Sequence, residues 1–215
     1  LNSDPARAGN KWTNYAGPPT TGEPYGRLRV AMSWLLGQPG APMIYYGDEA
    51  GMWSPDDPSN RQPMVWPDLE PYDRPEVTFD EELFAFYQRA IAIRRELTPL
   101  RLGMFRVLLA DDGRNVLAFA RELDGQAVCV AINRSDRAQQ ITVSPLPFDD
   151  GTQLVDYLDA QAVRLVPPGS DVIDARPTLQ VLENGPRWTV RQQRMTLTLP
   201  PYSTAILAPQ PQAER

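Results

Sequence analysis

The sequence predicts α/β material up to about Pro99, followed by an all-β domain. Three observations carry this. Two helical apolar stripes precede Pro99 with one short apolar run between them. Many short β-rich segments follow Leu100, and tight-turn dipeptides sit between those segments. The expected domains are therefore 1–99 and 100–215.

Residues 1–22 are rich in Asn, Gly, Pro and Thr without apolar periodicity, which predicts a loop. Tyr25 to Leu36 reads as a helix, with Pro24 suited to its first turn and Gly37 to its end. Leu28, Ala31, Met32 and Leu35 fall at helical spacing, while Val30, Trp34 and Leu36 widen the apolar surface. The helix is therefore expected to pack on more than one side, with Trp34 in the core. Pro42-Met43-Ile44-Tyr45-Tyr46, bounded by turn residues, fits a strand buried on both faces of a parallel sheet. Residues 47–77 are polar and proline-rich, and loops of this length inside a domain are usually functional or disordered. Thr78 and Glu81 fit a capping box opening a second helix. Its stripe runs through Leu83, Phe84, Tyr87, Ala90 and Ile91, and Thr98-Pro99 stops it.

Beyond Leu100, short Val-, Ile-, Leu-, Thr- and Phe-rich segments are expected as strands near 104–110, 114–122, 126–133, 138–143, 152–157, 178–182, 187–190, 195–199 and 203–208. Asp112-Gly113, Asp124-Gly125 and Asn184-Gly185 are placed for turns that require positive φ. Many short strands joined in this way predict an antiparallel β-sandwich.

Composition narrows the function. The chain of 215 residues is 42% hydrophobic and 22% charged, ordinary for a globular protein. Its net charge of -6 argues against a nucleic-acid partner. No apolar run is long enough to span a membrane, and no basic segment followed by an apolar core announces a signal peptide. Cys129 stands alone in an apolar run and reads as a buried small hydrophobe. The absence of histidine excludes a Ser-His-Asp triad, a Cys-His pair and histidine-rich zinc sites, leaving carboxylates as the only groups for hydrolytic chemistry. No cofactor is expected.

The run Gly37-Gln38-Pro39-Gly40-Ala41-Pro42-Met43-Ile44-Tyr45-Tyr46-Gly47-Asp48-Glu49-Ala50-Gly51-Met52 resembles the eighth strand and following loop of the α-amylase clan, glycoside hydrolase family 13. Asp57-Pro58-Ser59-Asn60-Arg61-Gln62-Pro63-Met64-Val65-Trp66 is similar to the neopullulanase, cyclomaltodextrinase and maltogenic amylase branch. The segment 80–97, with its run Phe86 to Leu97, resembles the eighth barrel helix, and the strands over 100–208 resemble the family's C-terminal sandwich. The resemblance implies a fold class of α/β plus all-β: the last part of a (β/α)8 TIM barrel, then an antiparallel β-sandwich. It further implies that the nucleophile, the acid/base glutamate and a third aspartate lie upstream of this chain, as do the family's two active-site histidines. A retaining glycosidase needs two carboxyl groups about 5–5.5 Å apart across the scissile bond.

Three residues are candidates for substrate binding. Asp57 and Arg61 offer an acceptor and donors to vicinal sugar hydroxyls. From the residues alone, sugar binding and a loop-shaping salt bridge are equally open, and the resemblance favours sugar binding. Trp53 either stacks on a sugar ring or packs; Trp66 is expected to pack. Asp48 and Glu49 are adjacent, and neighbours on an extended segment point apart, so they are expected to orient loop backbone rather than form a catalytic pair. No catalytic or metal-binding residue is expected within the chain. The Asn133-Arg134-Ser135 sequon reads as a chance match.

The leading reading is the C-terminal segment of a retaining α-glucan-active hydrolase. The alternative is a non-catalytic carbohydrate-binding or pseudo-enzyme module. Expected partners are an α-glucan or maltooligosaccharide substrate and the remainder of a catalytic barrel. A homo-oligomer is left open, and neither nucleic acid nor a membrane is expected.

Overall fold

A computed structural model describes residues 19, 21–53, 57, 59–69, 78–167 and 176–210. The loop expected over 1–22 lies almost wholly outside these residues, as does much of the segment 47–77. Helix α1 spans Glu23–Gly37, wider at both ends than the sequence suggests, with Pro24 in its first turn. Helix α2 spans Glu81–Glu96. Its cap differs from the expected Thr78–Glu81 box: Asp80 Oδ1 accepts the Leu83 amide at 2.8 Å. The Asp80 amide in turn donates to Ala50 O at 3.0 Å, so the cap is fixed by the preceding loop. Thr98-Pro99 ends α2 and also opens a short α3, Thr98–Leu102, since proline is as well suited to a first helical turn as to a stop.

Ten strands follow: β1 Met104–Asp111, β2 Val116–Leu123, β3 Gln126–Asn133, β4 Gln139–Val143, β5 Gln153–Asp156, β6 Val163–Val166, β7 Thr178–Val181, β8 Trp188–Thr189, β9 Met195–Leu199 and β10 Ser203–Pro209. A six-stranded sheet has the order β1-β2-β3-β10-β5-β8, while β4 pairs with β9 and β6 with β7. Every pairing is antiparallel.

The alternation of β3 explains the layering. Ala127, Cys129 and Ala131 face a core closed by Ile141 and Val143 of β4 and Leu197 and Leu199 of β9. Val128, Val130 and Ile132 face the other way, onto Val30 of α1, Ile93 of α2 and Leu100 of α3. The central sheet is thus covered by a two-stranded ribbon on one side and by helices on the other. Small residues on the ribbon side let the two β layers approach closely. Burial pushes the Cys129 thiol up to about 12, consistent with an inert core residue.

Of the three turn dipeptides, only Asp124-Gly125 has both residues at positive φ, between β2 and β3. In the β1–β2 connection Asn115 takes the left-handed conformation instead of Gly113. Asn184-Gly185 joins no hairpin. Gly185 is required there by close approach, because a Cβ would lie 2.5 Å from Ala162 Cα. The Asn133 side chain is buried and donates to Arg137 O, Leu199 O and Pro200 O, which makes it a structural residue rather than a glycan acceptor.

Two buried arginines join the helices to the sheet. Arg94 of α2 donates to the carbonyls of Leu36, Gln38, Gly40 and Leu100. Arg121 of β2, fully buried, donates to Gly37 O at 2.7 Å, Leu100 O at 2.9 Å and Gly103 O at 2.7 Å. Neither guanidinium has a carboxylate partner among the described residues. The orphan carbonyls at the end of α1, with the negative end of its dipole, take that place. Arg94 therefore serves the end of α1, not only the end of its own helix. Burial, and then the neighbouring positive charge, lowers the pKa of both.

The segment Pro42–Tyr46 forms no strand. Met43, Tyr45 and Tyr46 are exposed, Met43 to 84%. A buried strand of a parallel sheet requires neighbours on both edges, and among the described residues this run has none. Trp34 also departs from expectation, standing 47% exposed on α1.

Candidate functional site

The loops after the Pro42–Tyr46 run gather the candidate residues. Gly47 and Gly51 hold positive φ of 93° and 71°. A Cβ on Gly47 would meet Met52 Sδ at 2.7 Å, so the turn needs glycine on both counts. The amides of Ala50 and Met52 donate to Gly47 O, and that of Gly51 donates to Asp48 O. Tyr25 Oη of α1 donates to Gly51 O at 2.9 Å. The turn is thereby tied to the starts of both α1 and α2.

Within it, Glu49 Oε2 accepts the Gly47 amide at 2.9 Å, so this carboxylate orients its own turn. Burial, and then the charge of Glu49, raises the Asp48 carboxyl above its ordinary range. The Tyr87 hydroxyl is buried with no hydrogen-bond partner among the described residues. Its pKa is raised, first by burial and then by the charges of Asp48 and Glu49. Such a group stays a neutral phenol at any physiological pH.

The second loop is strapped to the first. Tyr46 Oη donates to Gln62 O at 2.9 Å and Tyr45 Oη to Asn60 O at 3.4 Å. Gln62 Nε2 donates to Trp53 O at 2.9 Å. The 3-10 turn Ser59–Arg61 brings Arg61 back toward Asp57, and Arg61 Nε lies 2.9 Å from Asp57 Oδ1. Both side chains remain more than half exposed, at 71% for Arg61 and 53% for Asp57. An exposed ion pair contributes little to stability, about 0–1 kcal/mol. Its charged oxygens and N–H groups stay within reach of solvent or of a hydroxylated ligand. Trp53 is half-buried, and its indole Nε1 is buried without a hydrogen-bond partner among the described residues. It therefore stands closer to packing than to an open stacking platform.

The three sequence-predicted residues thus lie on one strapped pair of loops, with Asp57 and Arg61 in direct contact. Residues 54–56 and 58 lie outside the described residues. Among the described residues no cluster of His, Cys, Asp or Glu could hold a metal ion, and no helix is long and apolar enough to cross a membrane. Sequence reasoning missed Trp34, which lines a groove on the opposite side of α1. Its helical spacing resembled that of a core residue, and only the position of the β1–β2 turn makes the difference visible.

Comparison with known proteins bears on this arrangement. Residues 105–169 match the family described as Maltogenic Amylase, C-terminal domain. The chain resembles the C-terminal part of the α-amylase clan. The maltogenic amylase-type match begins inside β1 and ends just past β6, within the β domain. Neopullulanase 2 from Thermoactinomyces vulgaris is 33% identical over 64% of this chain and 22% of that protein. Cyclomaltodextrinase from Geobacillus thermopakistaniensis (strain MAS1) is 32% identical over 85% of this chain and 25% of that protein. The chain spans about a quarter of the length of the curated relatives it matches. Among solved structures, a debranching enzyme from Nostoc punctiforme aligns with a TM-score of 0.56 at 26% identity, over 86% of this chain and 31% of that one. An α-amylase from Geobacillus thermoleovorans, solved with acarbose, aligns with a TM-score of 0.65 at 20% identity, over 88% and 34% of the two chains, which speaks to fold alone.

Proposed function

We propose that this chain is the C-terminal segment of a retaining, α-glucan-active glycoside hydrolase, supplying a substrate-binding loop and a structural domain but not the catalytic acids. The observation that carries the reading is the solvent-facing Asp57–Arg61 pair, held on a loop strapped to an unpaired apolar run. In this reading residues 1–99 complete a (β/α)8 barrel and residues 100–215 form the sandwich packed on it. The exposed Met43, Tyr45 and Tyr46 support this, because a barrel strand requires hydrogen-bonding neighbours on both edges. The remaining barrel would be the partner that covers them. The Glu49 carboxylate is held by its own turn, which agrees with catalytic carboxylates lying elsewhere in the enzyme. The likeness to proteins named cyclomaltodextrinase, neopullulanase and maltogenic amylase supports α-glucans as the candidate substrates.

At the site, Asp57 accepts from one sugar hydroxyl while Arg61 donates to its neighbour, fixing the ring ahead of the bond to be cleaved. Asp57→Ala or Arg61→Ala in the enzyme that carries this chain is expected to lower kcat/KM on maltooligosaccharides by about tenfold or more, since a hydrogen bond to a charged group contributes about 1.5–3 kcal/mol. Unchanged kinetics on both short and long substrates would reduce the pair to a loop-shaping salt bridge. The 215-residue chain alone is expected to leave starch, pullulan and cyclodextrin intact. Turnover abolished by Glu49→Gln would move catalysis into this chain and overturn the reading.

A further inference from the structure

The outward face of α1 and the turn between β1 and β2 enclose a groove of about 700 Å³, within the range of roughly 300–1,000 Å³ of small-molecule sites. Trp34 stands on its helical wall, half exposed, one to two turns beyond Arg27 and Val30 on the same face. The floor is apolar, formed in part by Val116 and Ile132. The opposite rim carries Asp112, Asn115 and Arg134, whose side chains make no hydrogen bond or ion pair among the described residues. One end is closed by Tyr202, over whose ring the Arg27 guanidinium lies 5.2 Å from the centroid. Tyr202 Oη donates to Glu23 at 3.0 Å, which fixes that wall.

We propose that this groove is an accessory binding site for an α-glucan chain, separate from the Asp57–Arg61 loop. The α-glucan class rests on the function proposed above; the polyhydroxylated nature of the ligand rests on the groove itself. Its lining holds two carboxylates, Asp112 and Asp136, two guanidinium groups, Arg27 and Arg134, and the Asn115 amide, so the charges cancel and an ionic ligand gains little. Donors and acceptors in equal supply around an aromatic face suit a neutral ligand rich in hydroxyls, with an apolar ring face to lay against the indole. The position of Asn115 is fixed by its left-handed backbone and by Arg134 N–H donating to its carbonyl at 3.0 Å. The two rim residues are therefore held side by side before any ligand arrives, which lowers the ordering cost of binding.

Calorimetric titration of the 215-residue chain with maltohexaose and with cellohexaose tests this. Maltohexaose is expected to bind, and Trp34→Ala to weaken it by about tenfold or more with an unchanged melting temperature. Asp112→Ala is expected to weaken it about threefold, and Arg164→Ala, on the exposed side of β6 and outside the groove, to leave it unchanged, which ties the affinity to this groove. Absence of maltohexaose binding, or equal binding by the Trp34→Ala chain, overturns the proposal while leaving the Asp57–Arg61 test untouched. Trp34-dependent binding of cellohexaose in place of maltohexaose overturns the α-glucan class here and, with it, the reading of function on which that class rests.

Discussion

The two halves of the molecule are finished to different degrees. In the β domain the central sheet is covered on both faces, and strand β3 is buried along nearly its whole length. In the half before Pro99, α1 and α2 pack together through Met32, Leu36, Leu83 and Tyr87, yet Met43, Tyr45, Tyr46, Trp66 and Leu69 face solvent. The sequence patterns of the two halves are about equally apolar. The difference lies in what each pattern can close on: alternating strands find partners within the chain, whereas a single continuous apolar run does not.

The comparison is broken most directly in the β domain. Phe119 of β2 is fully buried, and its ring would lie only 2.7 Å from a Cβ placed on Gly37 of α1. Phe119→Ala is expected to destabilise the chain by about 3–5 kcal/mol in urea unfolding; a loss under about 1 kcal/mol would put the load-carrying core elsewhere. The joint between the halves comes next. Arg121→Met should cost about 2–4 kcal/mol, because it orphans the carbonyls of Gly37 and Gly103 and leaves Leu100 O with Arg94 alone. Arg121→Lys should recover less than half of this, since one ammonium cannot reach three acceptors held for a planar fork.

A third test uses pH. Asp156 ends β5, and its Oδ1 accepts amides of Leu158 at 3.0 Å and Ile206 at 2.9 Å. Burial nevertheless pushes its carboxyl up to about 7. A carboxyl whose folded pKa is raised favours the fold below its ordinary pKa and withdraws that support as pH climbs through the folded value. The melting temperature should therefore fall between about pH 4 and pH 7. Asp156→Asn should flatten part of that slope while keeping an acceptor for both amides. Asp48, also raised, contributes in the same direction. Asp111 and Asp150 are lowered, by the Arg114 side chain and by the Gln193 and Gln192 amides respectively, so their effects fall below this window. An identical slope in Asp156→Asn would refute the assignment. The smallest effect is expected at Met43, where Met43→Ser should change stability by no more than about 0.5 kcal/mol. A larger loss would mean that the exposed run is held by the chain after all.

Much of the β domain was legible because period-two alternation and hairpin signals act locally. Strands β3 and β9 have the expected ends to the residue. Strand β6 was missed: four residues with Arg164 among them lie too close to proline-rich sequence to show a period. Both long helices were legible, but not their surroundings. Trp34 sits at core spacing and faces a groove because the β1–β2 turn, some 80 residues later, stops short of covering it. At the candidate site the residues alone left sugar binding and a loop-shaping salt bridge equally open for Asp57 and Arg61, and the two side chains are in contact. The straps from Tyr45, Tyr46 and Gln62 run to backbone carbonyls, and a carbonyl leaves no mark in a sequence.

The arginine joint has a consequence for synthesis. The Gly37 carbonyl, at the end of α1, waits for a donor on Arg121, 84 residues further along the chain. At roughly 5–20 residues per second, a ribosome takes about 4–17 s to add them. Through that interval the helix can form, but its final carbonyl lacks its donor and its sheet-facing side has no sheet. The nascent helix is therefore exposed longest at the end that later becomes the most firmly held, and the emergence of β2 is the event that closes it.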